Sequence, residues 1–73
     1  MSLLLVVNDM EAIPPIRELL VPAEGKGATV CLTLKQGESE TVIELPGKYQ
    51  HSTDMIDRIR SIKGIVSAEE MAA

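Results

Sequence analysis

Two runs of alternating apolar residues, joined by a short polar turn, limit this chain more than any other feature. They fill Gly27–Gly47, GATVCLTLKQGESETVIELPG. Ala28, Val30, Leu32 and Leu34 alternate with Thr29, Cys31, Thr33 and Lys35, the period of a strand with one buried face. Gln36-Gly37-Glu38-Ser39 is a turn cluster in which Gly37 can take a positive φ. The return strand, Glu40–Leu45, is β-branched and apolar at Val42, Ile43 and Leu45 and is expected to stop at Pro46-Gly47. A lone hairpin is marginal in water, so its apolar face must be covered. The short helical patterns on either side are the only candidates.

Upstream, Leu3–Val7 reads LLLVV, a strand apolar on both faces and therefore an interior one. The helices take one of its faces. Leu4 and Val6, on the other, then need a partner. Asn8-Asp9 ends the strand. A helix follows within Met10–Leu20, with two possible starts. Asp9 can serve as N-cap, while Pro14 and Pro15 favour a later start, because a proline in mid-helix lacks the donor and clashes with the preceding turn. The expectation is a loose turn at Met10–Ile13 and a regular helix at Pro14–Leu20, with Ile13, Ile16, Leu19 and Leu20 on one side. Val21-Pro22 ends it, and Ala23–Gly27 connects to the hairpin.

Beyond the hairpin, Gly47–His51 reads as extended through Tyr49. Ser52 caps a second helix, Thr53–Lys63, whose Met55, Ile56, Ile59 and Ile62 form an apolar stripe. Asp54 in its first turn, and Arg58, Arg60 and Lys63 in its later turns, suit the helix dipole. Gly64 is placed as its left-handed C-terminal cap. Ile65–Ala68 forms a last short strand, and Glu69–Ala73 is expected to fray. The order β-α-β-β-α-β predicts an α+β fold of the split βαβ, ferredoxin-like class. Its antiparallel sheet would have the first and third strands central and two helices on one face.

The 73 residues allow one small α+β domain, which buries only about 60% of the surface its unfolded form exposes. Seven Lys and Arg stand against eleven Asp and Glu, for a net charge of −4, and Tyr49 is the only aromatic. Direct nucleic-acid binding is therefore not expected: phosphate needs a basic face, and single strands need stacking platforms. Cys31 is the only cysteine, which excludes an internal disulfide and suits a reducing cytoplasm. The longest apolar run, Leu3–Val7, is far short of the ~20 residues that span a bilayer. No positive charge precedes it, so no secretory signal and no membrane association are expected.

No pattern carries catalytic chemistry. Gly25-Lys26-Gly27 lacks the spaced glycines and the Ser or Thr of a phosphate loop. His51 has no second His or Cys near it, and a zinc site takes about four ligands; a solvated or cap-associated imidazole is the simpler reading. Cys31 has no adjacent base to make it a thiolate. The glutamates Glu38, Glu40, Glu44, Glu69 and Glu70 are scattered, as on a solvated surface. No catalytic residue, cofactor or metal site is assigned. The candidate partner surface consists of Leu4, Val6, Arg58 and Arg60.

The run Ile16–Glu70, with its doubled leucine and proline (Leu19, Leu20, Pro22), its ELPGKY at Glu44–Tyr49 and its KGIVSAEE at Lys63–Glu70, resembles the extreme C-terminal segment of the bacterial replicative DNA polymerase, the DNA polymerase III α subunit. The resemblance implies a piece of a much longer chain, a nucleotidyltransferase whose catalytic acids lie upstream. It implies a non-catalytic role in chromosomal DNA replication, in the region that contacts the clamp-loader tau subunit, and a preceding OB domain that binds nucleic acid. Separately, Met1-Ser2 reads as an added start. A glutamine-led sliding-clamp motif is missing, since Gln36 and Gln50 lack trailing aromatics. Two other readings fit the same pattern. One is a free-standing βαββαβ regulatory module that takes a small ligand at Asn8-Asp9. The other is a homodimerising scaffold that pairs sheet edges or faces.

Overall fold

The structure, a computed structural model, describes residues 1–71. In chain order the elements are β1 (Ser2–Val7), α1 (Ile13–Leu19), β2 (Ala28–Gln36), β3 (Ser39–Tyr49), α2 (Thr53–Arg60) and β4 (Ile65–Met71). A 3-10 turn at Met10–Ala12 leads into α1. Asp9 and the prolines each mark part of the start, and the regular helix runs Ile13–Leu19 rather than Pro14–Leu20. Asp9 caps the 3-10 turn, its Oδ1 accepting from the Glu11 backbone N–H at 2.9 Å, and the α-helix proper begins at Ile13 with Pro14 and Pro15 in its first turn. There the proline nitrogens remove no helical hydrogen bond.

The α+β class, with four strands in one sheet and two helices, is as expected, but the sheet is mixed and its order is β3-β2-β1-β4. The central strands are β1 and β2, which run parallel, and β3 lies at an edge. The antiparallel sheet with a central third strand is thus corrected, and the reason lies in β3 itself. It carries Glu40, Glu44 and Pro46, and a proline has no N–H to donate to a ladder. Charge and proline are tolerated at an edge and penalised in the middle. The β2 strand has every second residue buried and takes the inner position.

Both helices still lie on one face. The β1–α1–β2 crossover joins adjacent parallel strands. The β3–α2–β4 crossover joins two strands that run the same way, with β2 and β1 between them. The second runs opposite to the first in strand direction and in direction across the sheet. The two reversals cancel, so right-handed connections place α1 and α2 on the same side. Beneath them Leu3, Leu5 and Val7 of β1, Val30, Leu32 and Leu34 of β2 and Ala68 of β4 are buried with Ile16, Met55, Ile56 and Ile59 of the helices in one cluster. Every buried residue is apolar among those described.

Three boundaries differ from expectation by more than one residue. The β3 strand runs past Pro46-Gly47 to Tyr49. Its register jumps from Val30 opposite Leu45 to Ala28 opposite Tyr49, so the proline and glycine sit in a bulge rather than ending the strand. Glu69, Glu70 and Met71 do not fray, because they pair with Leu4, Leu3 and Ser2; Ala72 and Ala73 lie outside the described residues. Helix α2 ends at Arg60, three residues early, where Ser61 Oγ donates to the Arg58 carbonyl at 2.7 Å and Ile62 N–H bonds the Ile59 carbonyl at 3.0 Å. Gly64 (φ +100°) therefore lies beyond the helix cap, and its carbonyl accepts from the Asn8 N–H at 2.9 Å, tying the exit of α2 to the end of β1.

Candidate functional site

The sheet has a second face that neither helix touches. Pairing sets its composition row by row across β4, β1, β2 and β3. One row is Glu69, Leu4, Cys31 and Glu44; the next is Ser67, Val6, Thr33 and Val42. Alternation along β1 turns Leu4 and Val6 away from the buried Leu3, Leu5 and Val7. Leu4, Val6 and Cys31 are half-buried between neighbouring strands, and Val42 at the edge is 58% exposed. The face thus has an aliphatic centre with a carboxylate at each end of one row. A shallow depression of about 440 Å³ runs over it beside Ser2, Leu4, Cys31 and Glu44. At its border Ser2 Oγ and Thr29 Oγ1 are 2.9 Å apart, a cross-strand hydroxyl pair.

The four candidate partner residues do not form one surface. Leu4 and Val6 lie on the open face, while Arg58 and Arg60 belong to the helix layer on the opposite side. Arg58 Nε is 3.1 Å from Asp54 Oδ2 in an exposed i,i+4 pair. Arg60 has an internal partner: its Nε and Nη2 donate to the Ala68 carbonyl at 3.1 and 2.7 Å. That bond fastens α2 to the outer edge of β4.

Cys31 is a free thiol on the open face, as its place in the alternation indicated. His51 Nδ1, at the entrance of α2, lies 3.7 Å from Glu70 Oε2 of β4. The Asn8-Asp9 loop, which a small-ligand reading would need, makes internal bonds through the Asn8 N–H and the Asp9 carboxylate.

The contributions of Thr33 and Val42 to the open face went unread in the sequence. The alternation within each strand is visible there, but the rows depend on which strands are neighbours, and no single strand's sequence carries that order. No helix of the described residues is long and apolar enough to cross a membrane. No family model, no curated protein and no solved structure matches this chain.

Proposed function

We propose that the chain is a non-catalytic interaction domain from the C-terminal end of a bacterial DNA polymerase III α subunit, acting in chromosomal replication in the cytoplasm. The observation that carries this reading is the uncovered aliphatic face around Leu4 and Val6. A four-stranded sheet with helices on one side only leaves its other side for a neighbour. The resemblance along Ile16–Glu70 supplies the neighbours: the clamp-loader tau subunit and the preceding domains of the polymerase. On this reading the DNA-directed polymerase activity belongs to the parent chain, and the net charge of −4 leaves nucleic-acid contact to its other domains.

The face suggests the kind of contact. Leu4, Val6, Cys31 and Val42 would meet apolar side chains, and Glu44 and Glu69 would meet basic ones at the rim. The test is a calorimetric titration of this chain with the cognate tau C-terminal domain. Binding at about tens of micromolar or tighter is expected. A Leu4→Thr/Val6→Thr double variant keeps strand propensity and should weaken it at least about ten-fold. Absence of binding by the unaltered chain, or equal binding by the variant, rules the face out as the contact.

A further inference from the structure

We infer that the trough between α1 and β3 is a second docking site, shaped for an amphipathic helix of a partner protein that carries an acidic side chain beside its apolar stripe. It lies on the helix side of the sheet, opposite Leu4 and Val6, and does not depend on the function proposed above.

The trough exists because two short helices do not cover four strands. Helix α2 packs toward β4, and between α1 and β3 the side chains of Leu5 and Leu32 of the central strands reach the trough as part of its lining. The helix-facing side chains of β3, Ile43 and Leu45, are left only partly buried, as is Tyr49 beyond its bulge. With Ile13, Ile16 and Leu20 of α1 they line a half-open cavity of about 490 Å³. Its geometry is fixed at one end. The Pro46-Gly47 bulge brings the end of β3 against the chain leaving α1. There Ala23 N–H donates to the Lys48 carbonyl at 2.9 Å and Gln50 N–H to the Val21 carbonyl at 2.8 Å. The ELPGKY run thereby holds Tyr49 in the wall.

Charge selects the occupant. Arg17 is the only charged residue lining the trough, and among the described residues no carboxylate lies within ion-pair distance of it. It is an unpaired cation beside apolar surface on a molecule of net charge −4. The complement is an apolar stripe with a carboxylate on its flank. A helix supplies both through anchors at i, i+3, i+4 and i+7, and its diameter of about 10 Å matches the layer that α1 and α2 already occupy. A small acyl anion suits the trough less well, because ligand pockets bury about 70–90% of their occupant and this one is open on one side. An added strand would have to pair with the outer edge of β3, where Pro46 and the charges of Glu40 and Glu44 oppose it.

The probe is a synthetic amphipathic peptide of about four helical turns with a leucine stripe and one flanking glutamate, titrated into the isotopically labelled 73-residue chain and followed by amide NMR shifts. Saturable shifts are expected at Ile43, Leu45, Tyr49 and α1. Arg17→Glu should weaken the peptide at least about ten-fold, and exchanging the peptide's glutamate for lysine should restore binding to that variant. Four results would each overturn the inference: no saturable shift, shifts centred on Leu4 and Val6, affinity indifferent to both charge reversals, or saturation of the trough by dodecanoate but not by the peptide. Because the readout is residue by residue, failure here is distinguishable from failure of the open face.

Discussion

Gly64 joins two parts of the chain that are distant in sequence, the exit of α2 and the stretch from Asn8 to Ala12. Its φ of +100° is a conformation that L side chains rarely adopt. A Cβ at this position would lie 3.0 Å from the Asp9 Cβ and 3.1 Å from the Ala12 Cβ, so the turn after α2 packs directly on the 3-10 turn before α1. Gly37 has the same sign of φ, +60°, with nothing within 4 Å of an added Cβ. The pair separates backbone strain from crowding. Gly37→Ala should cost about 1 kcal/mol through strain alone. Gly64→Ala should cost about 2–3 kcal/mol, because both neighbouring atoms are Cβ carbons fixed to the backbone and cannot rotate away. Urea denaturation of the two variants measures the difference. Equal losses would mean that the turn relaxes freely and that Gly64 matters only for its φ. The glycine was legible as a left-handed position, since it follows an amphipathic stripe ending at Ile62. Its close approach to Asp9 and Ala12 was not, because nothing local in sequence tells which distant turn a glycine will touch.

At the level of elements, the two edge strands are guarded in different ways. Pro46 and the glutamates guard β3 from within its own sequence. Guarding β4 falls to a neighbour, Arg60 of α2, whose two donors occupy the Ala68 carbonyl. This contact converts a helix charge into a tie between layers, unlike Arg58, whose bond to Asp54 stays within the helix and in solvent. Arg60→Ala should therefore lower stability by about 1 kcal/mol, a fall in Tm of roughly 4–8 °C for a domain of this size. Arg58→Ala should cost only about 0.3–0.5 kcal/mol. Arg60→Lys should fall between them, because an ammonium lacks the fork that reaches one oxygen twice. Thermal melts in the same buffer give the ranking, and an Arg60→Ala melt matching that of Arg58→Ala would show the tie to be inconsequential. Element identities were legible from period and capping: LLLVV as an inner strand, Ser52 as a cap, the hairpin around Gly37. Strand order was not, since the decision between β2 and β3 for the inner position rests on how an edge tolerates Glu40, Glu44 and Pro46, a comparison between strands that no single window contains. The trough beside Tyr49 was hidden for the same reason, because the bulge that folds β3 over reads locally as a strand end.

For the whole molecule, β1 is the strand on which both faces depend. A chain of 73 residues has a total stability of roughly 4–11 kcal/mol, so one well-buried side chain is a large share of it. Leu5 is 1% exposed and sits in the core cluster, and Leu5→Ala should cost about 2–5 kcal/mol, enough to leave a substantial unfolded fraction near body temperature. Leu4, its neighbour in sequence, points to the open face and is only half-buried. Leu4→Ala removes similar atoms from a site that water already reaches, and the lost burial should be about 1 kcal/mol. The asymmetry reverses when a neighbour covers the open face. Leu4 would then be buried by association, and its truncation would act on binding rather than on folding. Denaturation of both variants alone, followed by titration of Leu4→Ala with the tau C-terminal domain, tests this directly. The expected pattern is a folded Leu4→Ala chain that binds several-fold more weakly beside a Leu5→Ala chain that has lost most of its stability. Equal destabilisation by the two substitutions would show that the open face is already covered within the chain, and its assignment as a docking surface would fall.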